Sequence, residues 1–375
     1  METIERAYWL AWSQIPGVGP ILMMRLYHHF GSLKLAWEAP IEALHQVEGF
    51  GDQMTAIAHK AIPSIDPEAL LQSHLQDNPN FWTPADPEYP RLLLEIPDPP
   101  PLLYYRGSVD LRENQGVRPA IALVGTRSPT DYGKRWTQRL TQTLVQAGFT
   151  IVSGLAEGID TIAHQTCLQA GGRTLGVMGT GVNKIYPRKN IELAKQILDH
   201  GLVLSEYPAH TPPDRMNFPR RNRIIAGLCR ATLVLEAGQK SGALITARMA
   251  NDYGRDIYAL PGSLDNPQSQ GSLSLIDNGA QLILSETHLL EMLGHLPSLD
   301  AADQLSLLDA PPVAELPPLP PDLAQVFQAV PLEATSLDQL VEQTGMATNM
   351  ILSALVQLEL MGLVSQMPGM RYQRG

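Results

Sequence analysis

FPRRNRIIAGLCRATLVLEAGQKSGALITARMA, residues Phe218 to Ala250, sets a helix, a buried strand and a second helix in one run. In its first third Ile224, Ile225 and Leu228 recur at helical spacing, so one face is apolar and the arginines are expected to look elsewhere. Ala231 to Leu235 has the unbroken apolar pattern of a buried strand. Glu236 to Ser241 reads as a loop, and a helix opens near Ser241-Gly242. Free backbone N–H groups at such a helix start favour an anion. Arg215, Arg220, Arg221, Arg223 and Arg230 crowd the same stretch, and only Asp214 is close enough in sequence to neutralise them. A phosphate-type anion site is the expectation. Its bland competitor is a set of arginines on a solvated helix face.

Outward from this run, short apolar strands alternate with helices. The pattern predicts strands at Ala120–Val124, Thr150–Ser153, Thr174–Met178, Leu202–Ser205, Thr232–Leu235, Ile257–Leu260 and Gln281–Leu284. Helices are predicted between them at Thr130–Ala147, Ile159–Ala170 and Asn190–Leu198. Such alternation predicts an α/β domain with a doubly wound parallel sheet, which takes ligands at the carboxyl ends of its strands. Those ends carry Gly125 and Arg127, then Ser153, Gly154 and Gly158, then Gly179 and Gly181. Glycine lets a backbone approach a ligand without a Cβ in the way. Three glycine turns at successive strand ends point to a ligand, where one alone reads as a tight βα turn. Gly179 does not open a dinucleotide fingerprint, because Lys184 stands where the last glycine belongs. Asp160 and His164, four apart on a helix with Glu157 near, suggest an acid–base or metal pair. No third ligand has suitable spacing, so capping and packing are the expected roles.

The chain has 375 residues and a formal charge of −11, which argues against a nucleic-acid partner until the charge is placed. Residues 118–286 hold 18 basic and 13 acidic residues, and the remainder holds 9 and 25. The acidity lies in the flanks and the central domain is mildly basic, so local charge leaves nucleic acid open. No apolar run approaches a membrane span and no signal-peptide pattern is present, so no membrane role is expected. Cys167 and Cys229 have no metal spacing and suggest a reducing cytoplasm. No cofactor or metal is expected.

In residues 1–65, Ile15-Pro-Gly-Val-Gly-Pro20 and Val47-Glu-Gly-Phe-Gly-Asp52 each precede an apolar helix pattern. They resemble tandem helix–hairpin–helix units, which bind a DNA backbone or serve as packing modules. Arg25, Lys34 and Lys60 are the positive charges at hand, so contact with DNA stays open. Residues 66–118 read as a connector with a strand near Leu102 to Arg106, before the central domain at 119–290. A proline-rich linker is expected over 291–321. Beyond it, helices at Asp322–Val330, Leu337–Thr344 and Ala347–Met361, and a hairpin turning at Pro368-Gly369, describe a winged-helix module in 322–375. Its third helix has Glu359 as its sole charge, whereas a groove-reading helix needs basic or amide side chains. A protein-contact or regulatory role is expected there.

GTRSPTDYG, SGLAEGIDTIAH, GTGVNKIYPRKN, SEYP, FPRRNRIIAGL and SGALITARMA, in that order over roughly 90–286, closely resemble the DNA-processing protein A family (DprA/Smf). The resemblance implies an extended Rossmann-like domain that binds single-stranded DNA and loads the RecA recombinase onto it, in natural transformation or recombination. It also implies a homodimer without enzymatic activity. Carried over position by position, it implies that Arg127, Arg215, Phe218, Arg221, Asn222 and Arg223 line the DNA pocket, over the glycine turns and beside Ser241 and Gly242. Phe218 would offer bases a stacking surface. One departure is visible: Gly271-Ser272-Leu273 stands where the family usually has Gly-Thr-Asn.

The rival reading is a nucleotide-binding or nucleoside-monophosphate-cleaving protein of the lysine-decarboxylase-like/LOG group. That group carries Gly-Gly-x-Gly-Thr-x-x-Glu, and the matching stretch here, Ser241 to Asn251, has no acid. A mononucleotide sensor without turnover is a third possibility. Nothing like a P-loop is present.

Overall fold

The computed structural model describes residues 2–294, 320–331, 335–360, 363–367 and 371–374. They form two compact units divided between Ala301 and Ala302.

The first unit begins with the helices Glu2–Ser13, Pro20–Phe30, Leu33–Glu38, Asp52–Ala61 and Pro67–Asp77 around buried Trp9, Trp12, Met23 and Phe50. Trp12 meets Trp37 and Phe50 edge-on, with ring centroids 5.2 and 6.0 Å apart. The two hairpins pack reciprocally. A Cβ on Gly17, in the first, would lie 2.5 Å from Met54 behind the second, and one on Gly49 would lie 2.6 Å from Leu22 behind the first. Both glycines have positive φ, so residue and turn are matched twice over. Arg25 is spent on Glu48: its guanidinium donates to the Glu48 carbonyl at 2.9 Å and pairs with the carboxylate at 3.2 Å.

Strands β1 (Phe81–Trp82), β2 (Leu103–Gly107), β3 (Ala120–Val124), β4 (Thr150–Ser153), β5 (Thr174–Met178), β6 (Leu202–Ser205), β7 (Ala231–Val234), β8 (Asp256–Ala259) and β9 (Gln281–Leu282) form one sheet. Its order is β1-β2-β6-β5-β4-β3-β7-β8-β9. From β6 to β9 all pairings are parallel, as the unbroken apolar strands require when both faces are covered. Ala120, Ala122 and Val124 of β3 enter one core with the helices Asn217–Leu228 and Ala243–Asp252. Ile121 and Leu123 enter another with Asp131–Gln146 and Ile159–Gln169, the period-two alternation of a strand. The stretch read as a connector supplies β2, the strand expected near Leu102 to Arg106, and also β1, which was not expected; both join the main sheet, β2 running antiparallel to β6. Phe81 and Tyr104 there share a core with the N-terminal helices, so this region is part of the domain wall.

Taken by itself, the second unit has helices Pro321–Ala329, Leu337–Thr344 and Thr348–Leu360, and a sheet of β10 (Thr335–Ser336), β11 (Val364–Met367) and β12 (Arg371–Arg374) with β12 central. Ser336 and Gln339 form a capping box at the second helix. The third helix buries Ile351, Leu355 and Leu358 and exposes Met350 and Val356. The expected turn at Pro368-Gly369 and most of the linker, residues 295–319, lie outside the described residues.

Candidate nucleic-acid interface

Strand order reverses between β3 and β7, because β4, β5 and β6 follow on one side of β3 and β7, β8 and β9 on the other. That is a topological switch point, the place where open α/β sheets leave a crevice beyond their strand ends. A cleft of about 470 Å³ opens there. The turn after β3 supplies Gly125, Thr126 and Arg127, and the loop after β7 supplies Gly238, Lys240, Ser241 and Gly242. Helix Asn217–Leu228 adds Arg221 and Asn222, and Asp160 closes the floor.

Arg127 is exposed and has no ion pair among the described residues. It is held at the sheet edge by the turn beneath it, where Gly158, at φ 84, fits directly under the Thr126 and Arg127 backbone. Gly125 is equally confined, since a Cβ there would lie 2.6 Å from Ile159. On the far wall Asn222 donates to the Gly242 carbonyl at 3.3 Å, tying the helix to the loop. The Ser241 hydroxyl accepts from the Ala243 amide at 3.3 Å.

Arg221 and Arg223 correct the expectation that the arginines look away from the apolar core. Both are 5% exposed. Two residues apart, they point about 200° from each other round the helix and do not share an anion. Arg221 turns inward beneath the cleft. Its Nη1 donates to the carbonyls of Val177 and, at 2.5 Å, Gly154, while Nε has no hydrogen-bond partner among the described residues. A Cβ on Gly154 would lie 2.5 Å from that guanidinium, which is why this turn needs glycine. Burial pulls the Arg221 pKa down to about 10; Asp160 opposes the shift and Arg127 adds to it.

Arg223 turns the other way, to Asp98 at 2.9 Å and Glu206 at 2.8 Å. Burial works against its charge, yet the two carboxylates outweigh burial and hold the guanidinium above its ordinary value. It is therefore a structural cation here and does not line the cleft. Arg230 also lies elsewhere, directly before β7 and so at the amino end of the sheet, beside Arg255.

Ser153, Gly179 and Gly181 are likewise outside the cleft lining. Ser153 is buried and donates to the Leu123 carbonyl at 2.6 Å. Gly179 carries the Phe218 ring, whose nearest atom would be 2.8 Å from a Cβ, and Gly181 abuts the Pro208–Ala209 backbone. Phe218 is half-buried with its ring 5.4 Å from that of Tyr186. Tyr186 is exposed, as are Lys184, Arg188, Arg215 and Arg220, which lie within a few residues of one ring or the other in sequence. Tyr186 and Lys240 were missed in the sequence because single residues in loops leave no periodic signal.

The acid–base trio is engaged elsewhere. Asp160 accepts from the Gly154 and Ala156 amides at 3.1 and 3.3 Å, and burial raises its pKa. His164 bonds Thr174 at 2.7 Å, and burial drives its pKa down to about 3. Glu157 pairs with Lys189 at 3.4 Å. Among the described residues no group of three or more His, Cys, Asp or Glu is placed to hold a metal, and no helix is long and apolar enough to cross a membrane. Gly271, at the departure from the family pattern, donates to the Ala237 carbonyl at 2.8 Å, and a Cβ there would lie 2.7 Å from the Gly238 oxygen. Ser272 beside it is buried, with no partner for its hydroxyl among the described residues.

Sheet order and cleft together define a Rossmann-like protein whose switch-point crevice carries two exposed cations, Arg127 and Lys240, with no ion pair among the described residues. The family described as DNA recombination-mediator protein A matches residues 80–294, and the DprA winged helix domain matches 310–370. Protein Smf of Synechocystis sp. is 51% identical, with all of both chains covered. The X-ray structure of DNA processing protein A from Streptococcus pneumoniae is similar at a TM-score of 0.67 and 35% identity, over 77% of this chain and 97% of that one. The Helicobacter pylori protein, described with a single-stranded DNA binding mode, is similar at a TM-score of 0.51 and 31% identity, over 57% of this chain and 95% of that one. The chain belongs to the DNA-processing protein A (DprA/Smf) family.

Proposed function

We propose that this chain binds single-stranded DNA across the switch-point cleft and the aromatic surface beside it, and passes the strand to a RecA-type recombinase without catalysing a reaction. The observation that carries this reading is Arg127, an exposed guanidinium at the carboxyl end of β3 with no ion pair among the described residues. Phe218 and Asn222 lie four apart on one helix and so on one face of it. A strand with its backbone at Asn222, Lys240 and Gly242 thus reaches Phe218 and Tyr186 one turn away. Rings accept any base, and exposed arginines such as Arg127, Arg188 and Arg215 are available to phosphates, which suits a strand of arbitrary sequence. The proposed setting is the cytoplasm, with a homodimer as the working form, in transformation or recombination. The Helicobacter relative's description supports the choice of ligand.

Titration of fluorescent oligo-dT and a matching duplex at two salt concentrations tests this. Single strands are expected to bind more tightly, with a log–log salt slope of roughly −0.7 per phosphate neutralised. Equal affinity for both forms at moderate salt, or a flat salt response, removes the reading.

For the winged-helix module we propose a protein partner. Its third helix exposes Met350 and Val356 and carries Glu359 as its one charge, poor provision for a DNA groove. A chain lacking residues 302–375 is expected to keep its single-strand affinity to within about threefold, under 1 kcal/mol. A loss as deep as that of an Arg127 variant in the same titration makes the module a principal DNA site.

A further inference from the structure

The cleft lining contains three cations, Arg127, Arg221 and Lys240, against one carboxylate, Asp160. Formally that is an excess of two positive charges. Neither exposed cation is neutralised by a neighbour: Arg127 and Lys240 have no ion pair among the described residues. Asp160 is occupied with the amides of its own turn. Two kinds of donor are also unspent. The buried Arg221 Nε has no partner, and the Lys240 and Gly242 amides have no acceptor among the described residues.

A phosphodiester inside a strand brings one negative charge to such a site. A phosphate monoester brings about −1.5 to −2 at neutral pH, with three strong acceptor oxygens, because its second pKa lies near 6. Charge and donor count both match the monoester better. The cleft, about 470 Å³, is also within the usual range for a small-molecule site, roughly 300–1,000 Å³.

We infer that the switch-point cleft is a pocket for a nucleotidyl phosphate monoester, supplied by the phosphorylated end of a strand or by a free nucleoside monophosphate. As a strand-end site it rests on the single-strand reading above. The chain then has a preferred starting point on a strand: the terminal phosphate seats among Arg127, Lys240 and the Gly242 amide, and the following bases run toward Phe218 and Tyr186.

The test uses the full-length chain with four internally labelled dT strands: one with a 5′-phosphate, one with a 3′-phosphate, one with hydroxyl ends, and one circular. One phosphorylated strand is expected to bind about tenfold more tightly than the hydroxyl-ended one, the scale of a single charge-assisted contact. The circular strand should match the hydroxyl-ended one, and dTMP should displace the phosphorylated strand where thymidine does not. Lys240→Ala should bring the ratio toward one with an unchanged melting temperature, since Lys240 is exposed and has no ion pair among the described residues. A phosphorylated-end preference without dTMP competition assigns the pocket to strand ends. Binding of dTMP by a chain that takes up no strand assigns it to the free nucleotide and defeats the single-strand reading alone. Equal affinity for all four strands, with no competition by dTMP, overturns the monoester pocket and leaves single-strand binding standing.

Discussion

Arg223→Ala is expected to destabilise the protein by about 3 kcal/mol, because it strands two carboxylates that were arranged round a buried cation. The Arg223 side chain is 6% exposed and Glu206 14%, so neither exchanges its partner for full hydration. The lower end of the range for a broken buried pair applies because Asp98 is 34% exposed and rehydrates in part. Urea denaturation followed by circular dichroism reads the loss. Adding Glu206→Gln to the Arg223→Ala chain should recover part of it, since the second change removes one of the stranded charges. A variant of parental stability with weakened oligo-dT binding would falsify the structural assignment and return Arg223 to the DNA surface.

Arg127→Ala is expected to do the opposite: oligo-dT affinity falls about ten- to hundredfold, the scale of ~1.5–3 kcal/mol for a charge-assisted contact, and stability stays. No carboxylate is abandoned, since Arg127 has no ion pair among the described residues. Its charge is also felt by Arg221 beneath, whose protonated form it disfavours, so removal relaxes the buried guanidinium. Arg127→Lys should recover only part of the affinity, because lysine keeps the charge and loses the planar fork. The two arginines thus separate two observables. Full oligo-dT affinity in a folded Arg127→Ala chain sinks the proposed interface.

Much of the central sheet was legible because its strands are covered on both faces. Such strands show as short apolar runs, and the seven expected from Ala120 onward are all present, with shifts of one or two residues at the ends of β7, β8 and β9. β1 was not legible: two residues, Phe81-Trp82, are too few for any period. β2 was legible as a strand but its place was not, since pairing with Leu202–Ser205 leaves no local trace. Within the site, helical spacing marked the apolar stripe of Asn217–Leu228. It missed that Leu93 and Ile96 press on Gly227 of the same helix, which buries it on more than one side. That second cover lies over the side of Arg223, one turn before Gly227, whereas Arg221 is buried on the other side against the Gly154 and Val177 carbonyls. Glu236, the acid that follows β7, is taken by neutral donors, Thr130 at 2.8 Å and Asn266 at 3.1 Å. Loop residues such as Lys240 become site residues only once β3 and β7 are side by side.

The antiparallel edge also imposes an order of events during synthesis. Leu103 and Tyr104 leave the ribosome roughly 100 residues before Leu202–Ser205, the segment they pair with, which at about 5–20 residues per second is a wait of about 5–20 s. Through that interval β2 has an open backbone edge and two apolar side chains that end fully buried. Unpaired strand edges are where growing chains associate wrongly. The N-terminal helices, made still earlier, already supply the partner core for Phe81 and Tyr104. In the nascent chain these helices offer Phe81 and Tyr104 an apolar core while the side of β2 that faces β6 is still unpaired.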